Sequence, residues 1–184
     1  MENAFVQSQI ACILGDGCFV HEVRTAKSGD TVILYSPHGR CDIHARIVYP
    51  NGVATKRHRN DLSLHVAPIA GTQVKAWNLQ YIRILGDKVN QGFGSIMMRQ
   101  LLLLAEREGI AYIEGRMRQA EHREHLERLR HFYAKFGFAV DERFNLRWDN
   151  EKLRAAPPPC AFERKRFFRF SPFRKAEKKD LHPF

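Results

Sequence analysis

The sequence predicts a mixed α/β domain: one central, mostly antiparallel sheet that is flanked by helices and followed by a basic C-terminal tail. Two observations predict this class. The first half of the chain consists of segments rich in β-branched and aromatic residues, separated by turn-forming pieces, which is typical of an antiparallel meander. The second half alternates strand and helix patterns around the same sheet. With 184 residues, 44% of them apolar, the chain can bury the core of one domain.

Four strands are predicted in the first half, at residues 31–35, 43–49, 62–69 and 74–85. The Asn-Gly pair at 51–52 favours a hairpin, because these residues readily adopt positive φ at a tight turn. Between Leu62 and Val66 the apolar residues alternate with Ser63 and His65. This alternation predicts that Ser63 and His65 lie on the face opposite the apolar one.

The second half predicts two helices and three further strands. The helices cover residues 94–108 and 121–136, and the strands cover 111–117, 138–140 and 144–148. Each helix carries an apolar stripe and is followed by a glycine, Gly109 or Gly137, of the kind that ends helices. The stripe of the second helix contains Leu126, Leu129, Phe132, Tyr133 and Phe136.

The C-terminal end differs in composition from the rest of the chain. We place the domain at residues 1–150 and a basic, aromatic-rich extension at 151–184, which holds ten basic and four acidic side chains, a net +6 of the chain's +10. Interleaved basic and aromatic residues suit phosphate contacts with base stacking, or shallow membrane insertion. Burial of each phenylalanine is worth about 1.5–3 kcal/mol. We therefore expect the tail to dock on the domain or a second subunit, with nucleic acid as the second candidate.

Several protein classes are excluded by what the sequence lacks. No segment approaches the roughly 20 consecutive apolar residues that cross a bilayer, and the N-terminus does not resemble a secretory signal. The four cysteines, Cys12, Cys18, Cys41 and Cys160, form neither a CxxC pair nor a cluster with zinc-ligand spacing. We expect reduced thiols in a cytoplasmic protein that needs no metal.

A strand-to-helix turn, DKVNQGFGS at 87–95, is the most informative local feature. Gly92 and Gly94 allow unusual torsions and the close approach of a ligand. The first amides of the following helix have no intrahelical partner and suit a pyrophosphate. The alternative is an ordinary tight turn capped by Ser95. A P-loop is excluded because no Lys-Ser or Lys-Thr follows Gly94, and a Rossmann turn because Met97 takes the place of the third glycine.

A second motif, RHFYAKFGF at 130–138, follows in the next helix. Together, these pieces resemble the GNAT superfamily of N-acyltransferases over about a third of the chain. Ile82 and Ile84 match the paired apolar strand positions, residues 91–94 match the loop pattern [Q/R]-x-x-G-x-[G/A], and Tyr133 matches the tyrosine of the Phe-Tyr-x-x-x-Gly-Phe ending. Three positions depart from the family pattern. Val89 stands where the family usually has Arg or Gln, Asn90 where it often has Gly, and Leu126 where it often has Asn. These departures remove side-chain contacts but leave the loop amides.

The resemblance implies transfer of an acetyl or other acyl group from acyl-coenzyme A to a primary amine by direct attack. The pantetheine arm would follow residues 82–85, the pyrophosphate would lie on the amides of 91–95, and a backbone amide near Ile84 would stabilise the oxyanion by about 3 kcal/mol. The implied cofactor-binding residues are Ile82, Ile84, Val89, Asn90, Gln91, Gly92, Phe93, Gly94 and Ser95.

The implied catalytic residues are Tyr133 and Glu114. Tyr133 would protonate the departing thiolate, although its place on an apolar stripe also suits a plain core aromatic. Glu114, on the strand between the helices, would accept the amine proton through a bound water, and its alternative is an exposed strand residue. His65 is a second candidate base, with a surface histidine as the alternative.

Two function classes remain open at this stage. The first is the N-acyltransferase, whose acceptor would be a small amine, a peptide amine or an aminoacyl-RNA. The second is a non-catalytic protein on the same scaffold, which would bind nucleic acid or an acidic partner through its basic surface and tail. A homodimer is compatible with either class.

Overall fold

The computed structural model describes residues 4–117 and 123–154, and within these ranges it contains one eight-stranded sheet in the order β1-β2-β3-β4-β5-β6-β8-β7. Neighbouring strands are antiparallel except β5 and β6. Helices lie on both faces, which confirms the predicted fold class. The elements are α1 (Ala4–Gly15), β1 (Cys18–Thr25), β2 (Thr31–Pro37), β3 (Ile43–Val48), β4 (Leu62–Pro68), β5 (Ala76–Arg83), α2 (Phe93–Arg107), β6 (Tyr112–Arg116), α3 (Arg123–Ala134), β7 (Ala139–Val140), β8 (Asn145–Asp149) and α4 (Glu151–Arg154).

Three elements were not predicted from the sequence: α1, β1 and the short α4. Helix α1 buries only Val6 and Ile13, so it shows no apolar stripe that the sequence could reveal. Strand β1 is half exposed at the edge of the sheet and alternates poorly. Among the predicted elements, the strand at 74–85 is shorter than expected. The helix predicted at 121–136 is described over Arg123–Ala134 and ends two residues before its predicted end. Of the extension predicted at 151–184, the first four residues form α4, and residues 155–184 lie outside the described residues.

The sheet separates two apolar clusters. On the face that we call the helical face, Leu62 and Leu64 of β4 pack with Met97 and Leu101 of α2 and with Tyr133 of α3. On the opposite face, α1 covers Ile33 and Tyr35 of β2 through Val6 and Ile13. Ser63 and His65 lie on this opposite face, as the alternation in β4 predicts, because Leu62 and Leu64 fill the helical face.

The predicted Asn-Gly turn is confirmed between β3 and β4. The Tyr49 amide donates to the Val53 carbonyl at 2.8 Å, and Gly52 has φ of 81°. A methyl group added at Gly52 would lie 2.9 Å from Cζ of Phe5, so glycine also allows α1 to approach this turn.

Strands β5 and β6 pair at one end and diverge at the other. Their parallel register runs from Ala76–Tyr112 to Leu79–Gly115 and stops there. A bulge at Gln80 follows at once, because Val66 of β4 pairs with Leu79 while His65 pairs with Tyr81. The last four residues of β5 therefore have β4 on one side and no β6 partner on the other.

A glycine allows the closest approach at the point of divergence. A methyl group added at Gly115 would lie 2.7 Å from the carbonyl oxygen of Leu79, closer than non-bonded atoms normally come. The strands can therefore pair at this position only while residue 115 lacks a side chain.

The described residues bear on the expectations about membrane spans and thiols. No helix in residues 4–117 and 123–154 is both long and apolar enough to cross a bilayer. Cys12, Cys18 and Cys41 are all free thiols, with Cys18 buried and Cys12 exposed.

We expect Gly115→Ala to lower the free energy of unfolding by about 1–3 kcal/mol, because the new methyl group forces β5 and β6 apart. The matched control is Gly15→Ala, where nothing lies within 4 Å of the added group. Urea denaturation of both variants measures the difference. A loss at Gly115 no larger than that at Gly15 would contradict the packing described here.

Candidate functional site

Three separate pieces of the sequence meet beside the divergence of β5 and β6. They are Ile84, which follows β5, Gly94 in the first turn of α2, and Phe132 of α3. A methyl group added at Gly94 would lie 3.4 Å from Cε2 of Phe132 and 3.9 Å from Cγ1 of Ile84. The strand end, the glycine turn and the aromatic motif that the sequence singles out are therefore neighbours in space.

The glycine turn presents the start of α2 without a side-chain cap. After a short 3₁₀ turn at Gly86–Lys88, Asn90 adopts φ of 66°, and Gly92, at the N-cap position, adopts φ of 90°. No side chain of the described residues caps the helix, and Ser95 lies inside its first turn, so the interpretation of Ser95 as a cap is wrong. The first helical bond runs from the Ile96 amide to the Gly92 carbonyl at 3.1 Å. The preceding amides of α2 have no intrahelical partner, as at any helix N-terminus.

Several side chains of the loop at 87–95 are buried or make contacts within the protein. Phe93 is 1% exposed and packs in the core, so it offers no side chain to a ligand. The side chain of Gln91 donates to the Asp87 carbonyl at 2.7 Å, and Val89 is exposed. Lys88 lies against Asp87 at 2.9 Å and over the Tyr49 ring, which compensates its charge.

A lysine that the sequence analysis missed lies next to this loop. Lys27, between β1 and β2, places its aliphatic stem against Gly92: a methyl group there would lie 3.5 Å from Cγ of Lys27. Within the described residues Lys27 has no ion-pair partner. No local pattern could have revealed it, because the contact joins segments far apart in sequence.

Tyr133 lies in the core of the helical face and is 8% exposed. Its ring makes edge contacts with Phe132 and Phe138, at centroid distances of 5.3 and 5.7 Å. Burial raises the pKa of its phenol to about 12. No group of the described residues forms a hydrogen bond with its hydroxyl. Tyr133 is thus both a packed core residue and a protonated, unpartnered donor.

The two candidate bases lie on the opposite face of the sheet from Tyr133. Glu114 of β6 pairs in register with Asn78 of β5 and lies 3.8 Å from Nη1 of Arg147. His65 of β4 places Nδ1 3.3 Å from the Asp42 carboxylate and stacks on the Tyr81 ring at 4.4 Å. Since α3 covers the helical face, neither base is brought directly beside Tyr133.

A cleft of about 1100 Å³ opens where β5 and β6 diverge. Both apolar and polar residues line it. The lining residues used below are Asn78, Gln80, Glu114, Arg116, Arg143 and Arg147. The described residues contain no group of three or more His, Cys, Asp or Glu that could hold a metal ion.

No family model and no curated protein matches this chain. Solved structures are similar to parts of it. One is a chain of the KacTA–DNA complex, with 19% identity over 63% of this chain and 72% of that chain and a TM-score of 0.40. A second is a protein described as an acetyltransferase of the GNAT family from Desulfovibrio desulfuricans, with 14% identity over 59% and 68% and a TM-score of 0.41.

A third similar structure is the PaiA N-acetyltransferase from Thermoplasma acidophilum in complex with coenzyme A. It is 14% identical over 59% of this chain and 60% of that chain, with a TM-score of 0.40. GNAT acetyltransferases are thus among the structures similar to this chain, as the sequence resemblance predicts. The roles of individual residues are argued below from the site itself.

The raised pKa of Tyr133 predicts how stability changes in alkali. A phenol that titrates near pH 10 when unfolded and at about 12 when folded stabilises the fold fully below pH 10 and loses that contribution as pH rises to about 12. We expect the wild type to lose about 2 kcal/mol more than Tyr133→Phe over this range. Denaturant unfolding of both proteins at several pH values measures it, and parallel curves would show that Tyr133 titrates normally.

Proposed function

We propose that the protein transfers an acyl group from acyl-coenzyme A to a primary amine by direct attack. The observation that carries this proposal is the open edge of β5 beside the uncapped N-terminus of α2. A strand edge offers unpaired backbone donors and acceptors to an extended, amide-containing arm. A helix N-terminus offers amides and partial positive charge to a pyrophosphate. Acyl-coenzyme A carries both groups, joined to one thioester.

The donor would bind mainly through the backbone. The pantetheine arm would lie along Ile82 and Ile84, where β5 has no partner strand. The pyrophosphate would contact the amides from Gln91 to Ser95, with Val89 and Asn90 shaping the loop. The ammonium group of Lys27 would add a counter-charge, since its stem already lies against Gly92. These contacts account for the loop although Val89 offers no polar side chain.

The transfer requires that the acceptor ammonium group loses a proton and that the leaving thiolate of coenzyme A receives one. The amine nitrogen attacks the thioester carbonyl carbon, and a backbone amide near Ile84 would stabilise the oxyanion. When the carbon–sulfur bond breaks, the sulfur takes the proton of the Tyr133 hydroxyl. A phenol with a pKa of about 12 is protonated at neutral pH, as this role requires. Its position in a dry core strengthens its interaction with a developing thiolate.

Glu114 is the base that we propose for the acceptor. It lies on the opposite face from Tyr133, at the narrow end of the cleft, so it would act on the amine that enters from that face. A water molecule would carry the proton from the ammonium group to the carboxylate. His65, which Asp42 orients, is the alternative base on the same face. Donor and acceptor would therefore approach the divergence of β5 and β6 from different sides.

Binding of acetyl-CoA tests the donor site first. At 100 times its Kd the ligand should stabilise the fold by about 2.7 kcal/mol, which raises the Tm by roughly 5–10 °C in a chain of this size. Gly92→Ala should abolish most of this shift, because alanine strains a residue at φ of 90°. The matched control is Gly71→Ala, which has a similar φ of 77° with nothing within 4 Å and lies in the β4–β5 turn.

Gly71→Ala should lose similar stability in the absence of ligand but keep the full acetyl-CoA shift. Should the wild type show no shift with acetyl-CoA, the transferase proposal fails. The non-catalytic scaffold that binds a nucleic acid or an acidic partner would then be the better explanation.

Turnover of Tyr133→Phe tests the proton donor. We expect kcat to fall by about 10²-fold, in the range typical of general acids, while the acetyl-CoA shift is retained. The control is Tyr112→Phe, which removes a hydroxyl from the opposite face and keeps the ring that lies under Arg147. Release of free coenzyme A, followed with a thiol reagent, gives the rates. Equal rates for Tyr133→Phe and the wild type would remove Tyr133 from the mechanism.

A further inference from the structure

We propose that the acceptor amine carries an anionic group, a carboxylate or a phosphate, which Arg116 and Arg143 bind at the wide end of the cleft between β5 and β6. This inference rests on the proposed function and specifies its acceptor. It derives from the uneven distribution of charge along the cleft and from two arginines that form no ion pair with the described residues.

The arginines of the cleft fall into two kinds. Arg147 is compensated: it lies 3.8 Å from Glu114, 3.1 Å from Asp149, and over the Tyr112 ring at 3.5 Å. Arg116 and Arg143 have no ion pair with any described residue. Both side chains are exposed and both line the cleft. The exposed carboxylate of Glu142 also lines it but pairs with neither arginine.

The two ends of the cleft differ in the charge that they present. Glu114 lies at the narrow end, where β5 and β6 are still paired through Asn78. Arg116 follows two residues later on the same face, beyond the last β5–β6 pair, where it faces only β8 through Asn145. An acceptor that enters from this face would meet a carboxylate for its ammonium group at the narrow end. It would meet guanidinium groups for an anion at the wide end.

Arg143 is held by a rigid turn. The Asp141 carboxylate accepts hydrogen bonds from the Arg143 amide at 2.8 Å, the Asn145 amide at 2.8 Å and the Asn145 side chain at 2.7 Å. These bonds lower the pKa of the Asp141 carboxyl, so the turn keeps its charge at neutral pH. The tip that carries Arg143 is therefore preorganised, which reduces the entropy lost on binding an anion.

The same arginines are poorly placed for the phosphates of the donor. The pyrophosphate would lie at the N-terminus of α2, which packs on the helical face with Met97 and Leu101. Arg116 shares the opposite face with Glu114, because side chains alternate along β6. Polyamine acceptors are disfavoured for a simple reason: a second ammonium group would come to lie beside two unpaired arginines.

Matched pairs of acceptors test this inference. L-lysine and cadaverine differ only in the carboxylate, and phosphoethanolamine and ethanolamine differ only in the phosphate. With acetyl-CoA as donor, we expect kcat/KM to be about tenfold or more higher for at least one member with the anionic group than for its partner without it, since a charge-assisted contact is worth about 1.5–3 kcal/mol. The pair that shows the difference identifies the anion.

Arginine variants assign the effect to the cleft. Arg116→Gln and Arg143→Gln should each raise KM for the preferred anionic acceptor by roughly tenfold and leave KM for acetyl-CoA unchanged. The matched control is Arg99→Gln, an exposed position on α2. A rise in KM for acetyl-CoA alone would show that the arginines bind the donor and would overturn the inference.

Failure of this inference is distinguishable from failure of the proposed function. If acetyl-CoA stabilises the fold but no amine with an anionic group surpasses its partner without one, the acceptor assignment is wrong and the transferase proposal stands. If acetyl-CoA gives no shift, both fall together.

Discussion

The end of pairing between β5 and β6 is the constraint on which the rest of the site depends. Parallel strands in a sheet normally exchange hydrogen bonds along their whole length, yet here the exchange stops at Leu79 and Gly115. Two local features accompany the end of pairing: the bulge at Gln80, and Gly115, whose lack of a side chain permits contact with the Leu79 carbonyl. Beyond this point the edge of β5 keeps backbone groups that need a partner. A ligand with amide groups would supply them.

This divergence also joins two faces of different chemistry. The helical face holds a buried phenol with a raised pKa, whereas the opposite face, outside the part that α1 covers, holds carboxylate, imidazole and guanidinium groups. In the proposed reaction, the leaving thiolate needs a proton and the attacking ammonium must lose one. The proposed acid and the proposed base would therefore act from different sides of the sheet.

The position of the glycine turn and the face of His65 were predictable because their signals are local. A glycine turn before an apolar stripe reports a helix N-terminus directly, and the alternation in β4 fixes the face of His65. Contacts between distant segments left no such signal. The bulge at Gln80, the approach of Lys27 to Gly92 and the gathering of Arg116 and Arg143 depend on register and turn geometry. Helix α1 escaped prediction because it buries too few residues to show a stripe.

Under the proposed function, the departure at Val89 has a physical explanation. A side chain at Val89 is exposed, so a polar residue there would contribute only from the rim of the loop. The backbone geometry persists without it, because Asn90 and Gly92 still adopt positive φ and leave the first amides of α2 uncapped. In the proposed site, Lys27 would supply from another segment the positive charge that an arginine in place of Val89 would carry, since its stem lies against Gly92. An anion site built on amides tolerates such an exchange, because the origin of the counter-charge matters less than its distance from the phosphate.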